Sequence, residues 1–310
     1  MIYHGFLVAH KKVGVSSHYV VKEIRKILGQ KEVGHTGTLD PIASGVLLIT
    51  LGRALKTLQF LPDYEKEYMA KAELGRTTNT YDATGMTIKK EVVNVSLKEI
   101  ETTLNSFLGE KMQKPPLFSA VKYKGKKLYQ YATKGEQVEL MERPVDIKSI
   151  TLLDFSSPYL TFKVAVSGGT YIRSLVHDLG QKLGCGATLI GLERTAIGPY
   201  RIENSLTLSE IEQKKKNKEL EKEMISVEKA LEQLPGIKVK ESFSKKITDG
   251  LELRVKDIDS VEKEFELNTT VALKDSLGEI MAIGKSLVSS TDFTNKDLKG
   301  KIFFYRRVII

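Results

Sequence analysis

The apolar positions divide the chain into short elements, most of them buried on at least one side. Val46-Leu47-Leu48-Ile49-Thr50-Leu51 is almost wholly apolar and predicts a buried strand. Upstream, Val20, Val21, Ile24, Ile27 and Leu28 recur at helical spacing, with Ser16 or Ser17 able to cap the helix and Gly29 able to end it. Phe6 to Ala9 predicts a short strand, and Arg53 to Leu61 a short helix ending near Pro62. Between Tyr64 and Gly75 the period is two: Tyr68, Ala70, Ala72 and Leu74 share one face, and Met69, Lys71 and Glu73 the other. Ile100, Leu104 and Leu108 are spaced by four behind a Ser96/Glu99 capping box, which predicts a helix over Ser96 to Leu108 that Gly109 can end. Leu160, Phe162, Val164 and Val166 alternate with Thr161, Lys163, Ala165 and Ser167 as in a half-buried strand. After Gly168-Gly169, the positions Ile172, Leu175, Val176, Leu179 and Leu183 predict a helix with Gly184 beyond its end.

Composition shifts after about Ser209. Glu210 to Leu234 is rich in Lys and Glu and reads as exposed helices joining two units, with a boundary at Pro235-Gly236. Beyond it come β-like runs at Val271-Ala272-Leu273, Ile280 to Gly284 and Ile302 to Val308, with Ser276-Leu277-Gly278-Glu279 as a hairpin turn. The expected division is therefore a domain over 1–234, including a charged helical linker over about 210–234, and a small β-rich domain over 235–310.

A chain of 310 residues with 41% hydrophobic content can form one large and one small core. No apolar run reaches the roughly 20 residues of a membrane helix, and no basic segment followed by a longer apolar core opens the chain. The lone Cys185 cannot form an internal disulfide, which fits a reducing, cytoplasmic setting. The formal net charge of +9 favours polyanions, RNA among them.

The candidate chemistry lies in three stretches. Gly34-His35-Thr36-Gly37-Thr38-Leu39-Asp40-Pro41-Ile42-Ala43-Ser44-Gly45 is a loop between two buried elements, and Asp40 before Pro41 is held away from helical geometry. Asp40 is either the start of an Asp-Pro turn or a nucleophile or base on a pinned loop. Tyr171 and Arg173 follow a strand end and a double glycine, where ligand sites are frequent. A cation in a helix's first turn opposes the dipole, so Arg173 has another role, either a surface salt bridge or a site function. Lys114 to Lys127 carries five lysines and no acid, among aromatics at Phe118 and Tyr123 with Tyr129 and Tyr131 just beyond. Such a run is a solvated loop or a surface for phosphates and bases. No zinc-spaced Cys/His cluster, P-loop or dinucleotide fingerprint is present, which fits chemistry that uses neither a metal nor an organic cofactor.

The run Gly34 to Leu47, GHTGTLDPIASGVL, resembles the catalytic-aspartate motif of the bacterial tRNA pseudouridine-55 synthases, the TruB family. The resemblance continues through Lys66-Glu67-Tyr68, Thr78 to Gly85, Pro115 to Lys122, Arg143-Pro144, Gly169 to Arg173, Leu183 to Ala187 and Leu192-Glu193-Arg194. Lys11 to Ser17 resembles the family's opening motif, with Lys12 where proline is usual. The family implies an α+β fold: a catalytic domain with a mixed, mostly antiparallel sheet flanked by helices, and a small C-terminal PUA-like domain. It implies isomerisation of uridine 55 in the tRNA T loop, by base flipping and aspartate-dependent glycosidic bond cleavage. Asp40, Tyr68 and Arg173 would be catalytic, and His35, Tyr68, Tyr171 and Leu192 would line the pocket. Lys11, Lys122, Lys124, Lys126, Lys127 and Arg143 would contact RNA, while Asp82 braces its loop. An ionised Asp40 in a dry pocket needs a cation, so Arg173 is expected to pair with it. The expected partner is the tRNA T stem-loop, engaged by a monomer without membrane or metal. A related synthase working in a guide-RNA complex, and a non-catalytic RNA-binding or tRNA-folding protein, are the alternatives.

Overall fold

The computed structural model describes residues 2–294 and 300–309. The large unit opens with β1 (Gly5–Lys11), α1 (Ser17–Leu28), β2 (Val33–His35), β3 (Ala43–Leu51) and a short 3₁₀ helix over Gly52–Phe60. It continues with β4 (Lys66–Leu74), a small hairpin of β5 (Arg76–Thr78) and β6 (Thr87–Lys90), α2 (Leu97–Asn105) and β7 (Gly109–Gln113). A second hairpin, β8 (Lys122–Tyr123) with β9 (Lys126–Lys127), leads into α3 (Leu128–Ala132). Next come β10 (Arg143–Ser156), β11 (Tyr159–Val166), α4 (Ile172–Lys182), β12 (Ala187–Ile197) and β13 (Tyr200–Arg201). The last helices are α5 (Leu208–Lys216) and α6 (Val227–Ala230).

Nine strands form one sheet in the order β1-β3-β12-β4-β11-β10-β7, with β2 on β3 and β13 on β12. Only the β12–β3 pairing is parallel, at Leu192–Ala43 to Arg194–Gly45. This is the mixed, mostly antiparallel α+β sheet that the motifs imply. It brings the start of β3, just after Asp40, beside Leu192 of β12, which in turn faces Ala70 of β4.

The local signals explain the elements. Ser16 accepts from Tyr19 N to cap α1, and Gly29 ends it at φ 69°. The Ser96/Glu99 capping box starts α2, although that helix ends at Asn105 and Leu108 is exposed. Leu108 lies past the last helical turn, so its spacing of four places it on no helix face. β4 buries Tyr68, Ala70, Ala72 and Leu74, as its alternation requires, against α2 and α4. β3 is apolar throughout because both faces are covered. Leu47, Ile49 and Leu51 pack with α1, while Val46 and Leu48 pack with Phe6, Val227, Ile280 and Ile283.

The charged segment after Ser209 differs from its expected exposure. Ile211 and Leu220 are fully buried in the α1 cluster, and Val227, Ala230 and Leu231 are buried under β1 and β3. The few apolar residues among the lysines and glutamates all face inward. Phe6 and Ile225 exchange backbone hydrogen bonds of 2.8 Å in each direction.

The C-terminal residues form a five-stranded sheet, β15-β14-β16-β17-β18, from β14 (Gly236–Val239), β15 (Ile258–Val261), β16 (Thr270–Lys274), β17 (Ile280–Ser286) and β18 (Phe303–Val308). The turn between β16 and β17 is built as predicted: Asp275 Oδ1 accepts from Leu277 N and Glu279 N, both at 2.9 Å, with Gly278 at φ 86°. Ala272, Ile280, Ile283 and Ile309 share one apolar cluster with Phe6 and Val8. No helix among the described residues is long and apolar enough to cross a membrane.

On α4, Asp178 lies at a cavity of about 330 Å³ beside Phe107, Val145, Ile147 and Leu175. Burial pushes its carboxyl up to about 6. A carboxyl raised above its unfolded value of 3.8 stabilises the fold below that value, and the contribution is lost as pH rises through 6. Asp178→Asn should therefore raise stability at pH 7, by on the order of 1–2 kcal/mol, and flatten the pH dependence between about 4 and 6. Thermal melts across that range check this; a steeper dependence in the variant would contradict it.

Candidate active site

A cavity of about 620 Å³ opens where the Asp40 loop, β4, β12 and the start of α4 meet. The loop is tied at several points. Leu39 N donates to Ser17 Oγ at 2.8 Å, Gly14 N to Pro41 O at 2.8 Å and Ala43 N to Asp40 O at 3.0 Å. Gly45, at φ 102°, is needed for the parallel crossing: a Cβ there would lie 2.3 Å from Arg194 O.

Arg173 is the centre of the site. It is buried in the first turn of α4, 5% exposed. Its Nε lies 2.9 Å from Asp40 Oδ2 and its Nη1 3.3 Å from Asp82 Oδ2. The Nε approach is an ion-pair contact and not an aligned hydrogen bond. Nη1 also donates to Thr80 O and Nη2 to Phe118 O, both at 3.1 Å. One guanidinium therefore joins two carboxylates and two chain segments, and the Arg173–Asp40 pair anticipated from the sequence is present. Asp82 braces its turn as expected, its Oδ1 accepting from Thr80 Oγ1 at 2.8 Å and from Thr84 N at 3.0 Å. Its pairing with Arg173 was not legible in the sequence.

Tyr68, Tyr171 and Leu192 all line the cavity. Burial raises the Tyr171 phenol above its ordinary range, and the charge of Asp40 pushes the same way. The Tyr171 backbone is held by the Gln113 amide, which accepts from Tyr171 N at 2.8 Å and donates to Tyr171 O at 3.1 Å.

Two expectations need correction. His35 is not on the cavity wall, which begins at Thr36. It is the last residue of β2, paired to Ile49, and its half-buried ring is held below the ordinary histidine range by burial, then by Arg194 and His18. Lys11 does not face RNA: it is 0% exposed, and its Nζ donates to Lys12 O (3.0 Å), Val15 O (2.7 Å) and Ala43 O (2.6 Å). Burial pulls its ammonium down to about 8, against the opposing pull of Asp40. Its role is to anchor the loop from behind.

The family model for the N-terminal domain of TruB family pseudouridylate synthases matches residues 25–172, and that for the tRNA pseudouridylate synthase B C-terminal domain matches 173–232. The tRNA pseudouridine synthase B of Thermotoga maritima is 40% identical over 283 residues, 91% of this chain and 90% of the relative. The chain belongs to the TruB family. It is therefore an isomerase of the pseudouridylate synthase class. The tRNA pseudouridine synthase B of Clostridium tetani is 43% identical over 254 residues, 82% of this chain and 86% of the relative. Among solved structures, a Cbf5–Nop10–Gar1 complex matches with TM-score 0.74 and 31% identity, covering 99% of this chain and 85% of that one. An H/ACA RNP bound to a substrate RNA containing 2′-deoxyuridine matches with TM-score 0.74 and 28% identity, over 99% and 85%.

In this TruB family chain the lysine run becomes the β8–β9 hairpin. Lys124 (φ 44°) and Gly125 (φ 84°) make its two-residue turn, and Lys122, Lys124, Lys126 and Lys127 are exposed. Lys124 lies 5.3 Å from the Tyr123 ring and Lys127 5.8 Å from the Tyr129 ring. Arg143 is exposed beside Tyr123 at a small adjoining cavity. Sequence reasoning gave no site role to the wall residues Asp63, Lys66 and Arg194. Lys66 pairs with Asp63 at 3.0 Å, and Arg194 is buried with Nε donating to Val46 O at 2.8 Å and Nη2 to Gly37 O at 3.2 Å. The Lys66-x-Tyr68 and Leu192-x-Arg194 motifs contain Lys66 and Arg194 without assigning them a role; nothing local marked Asp63.

Proposed function

We propose that the chain converts uridine 55 in the T loop of tRNA to pseudouridine, with Asp40 as the reacting carboxylate. The observation that carries this reading is Arg173, which holds Asp40 at a cavity walled by Tyr68, Tyr171 and Leu192. The cavity has the volume expected for a small-molecule or nucleotide site. A uridine in the T loop is stacked and must be flipped out to enter it. In the reaction the N1–C1′ bond breaks and a C5–C1′ bond forms; C5 loses its proton and N1 ends protonated. Asp40 attacks the sugar or the base, or stabilises charge there. Arg173 keeps the carboxylate oriented at the cavity, and the Tyr68 and Tyr171 rings hold the flipped base. That the relatives at 40% and 43% identity are tRNA pseudouridine synthases supports tRNA as the substrate over the guide-RNA alternative. Intact Asp40, Tyr68 and Arg173 favour catalysis over RNA folding alone.

Mass-spectrometric mapping of pseudouridine in an unmodified tRNA transcript, incubated with this chain alone, tests the reading. Modification at position 55 is expected; modification elsewhere, or only after a guide RNA is added, would overturn it.

The β8–β9 hairpin and Arg143 are the proposed RNA grip. Exposed Phe304, Arg306 and Arg307 on β18 give the C-terminal sheet a second basic and aromatic surface, which supports a PUA-like RNA-binding role. Neutralising Lys122, Lys124, Lys126 and Lys127 together should weaken tRNA binding and flatten its salt dependence by a slope of roughly 0.7–0.9 per lost phosphate contact. An unchanged slope would return the hairpin to a solvated loop.

A further inference from the structure

Asp82 reaches Arg173 from an unusual backbone. The residue before it, Tyr81, sits at φ 64°, a left-handed conformation that a bulky side chain rarely adopts. Strain of this kind persists only where the surroundings enforce it. Here the enforcing group is visible. The Tyr81 ring stacks on the His177 ring with centroids 3.8 Å apart and planes 11° from parallel. His177 lies one helical turn after Arg173 on α4, so both side chains project from the same helix face. That face grips the 80–82 turn twice: Arg173 binds Thr80 O and Asp82 Oδ2, and His177 covers Tyr81 between them. The Tyr81 backbone is also fixed, with its carbonyl accepting from Leu189 N at 3.0 Å and Ala83 N donating to Leu189 O at 2.9 Å.

We infer that Tyr81 and His177 form a positioning pair for the reaction, stacking to hold the turn so that Asp82 orients the Arg173 guanidinium toward Asp40. Neither ring lines the cavity, so neither is a catalytic residue. His177 is suited to this work as a neutral, flat surface. Burial holds its ring below the ordinary histidine range, and its buried Nδ1 has no hydrogen-bond partner that would mark it as a donor or base for another group. The inference rests on the reading of Asp40 as the reacting carboxylate.

The test is a set of variants measured in single turnover on a tRNA transcript, with tRNA affinity measured beside the rate. His177→Ala should lower the rate constant by roughly 2- to 12-fold, the range a stacked ring pair supplies, and leave affinity within about twofold. His177→Phe, which restores a flat ring, should recover most of the loss. Tyr81→Gly removes the ring but is at ease at positive φ, so it should fold and lose rate to the same extent. In an Asp82→Asn background, His177→Ala should cost nothing further, because the pair acts through Asp82. An unchanged rate in His177→Ala or Tyr81→Gly, failure of His177→Phe to rescue, or a full additional loss in the Asp82→Asn background would each overturn the proposal. Failure of the underlying reading is separately visible, since it would show as turnover by Asp40→Asn.

Discussion

Asp40→Asn should lower pseudouridine formation by roughly 10⁴-fold or more and leave tRNA binding largely intact. The amide keeps the side chain's shape while removing the charge that reacts. The fold should tolerate the change for a structural reason. Arg173 keeps its second carboxylate, Asp82, and its two carbonyl partners, Thr80 O and Phe118 O, so the buried cation is not stranded. The loop is held by Lys11, Ser17 and Gly14 through backbone atoms and not through the Asp40 side chain. The exposed lysines of the β8–β9 hairpin keep their charges in this variant. Rate and affinity should therefore separate. Mass spectrometry of the tRNA after a long incubation reads the first, and a filter-binding titration the second. Pseudouridine above a trace would remove Asp40 from the chemistry. A parallel collapse of binding would assign it to the RNA grip.

Arg173→Met should be less damaging to rate than loss of the Asp40 carboxylate and far worse for stability. The methionine leaves Asp82, whose side chain is 6% exposed, without its cation, and Asp40 loses the same partner. Two carbonyls lose their donor as well. Removing one partner of a buried ion pair costs about 3–5 kcal/mol. Loss of an oriented charge at the site should cut the rate by roughly 10²–10³ among molecules that remain folded. Arg173→Lys should recover part of both, since an ammonium supplies charge but cannot span two carboxylates and two carbonyls at once. Thermal melting gives the first quantity, and single-turnover rates well below the melting range give the second. If Arg173→Met melts with the unmutated protein and turns over within a few-fold of it, the bridge between Asp40 and Asp82 does no work.

The sequence by itself determined whatever depends on neighbours a few residues apart. The α1 caps at Ser16 and Gly29, the Ser96/Glu99 capping box, the alternation of β4 and the Asp275 to Glu279 turn all appear as read. Each is decided by side chains within about four positions of the backbone groups they satisfy. Arg173 was also legible as an anomaly, a cation at a helix start, and the two carboxylates beside it offset that dipole cost. The long motifs made the Asp40 loop and Tyr68 stand out, and the structure places both on one cavity.

Only the tertiary structure decided what each polar group meets across the sheet. Lys11 reads as a surface lysine until β1 pairs with β3, when three carbonyls close around its ammonium. His35 belongs to a strand pairing and not to the cavity wall. Ile211 and Leu220 lie in a charged segment, yet α1 offers them an apolar face. Gln113 with Tyr171, Asp82 with Arg173 and Tyr81 with His177 are partnerships between segments 58 to 96 residues apart. Strand order and the parallel β12–β3 crossing set those distances. A local pattern records which face of an element is buried. It carries no record of which distant group will lie against that face, because that choice is made by the packing of the whole sheet.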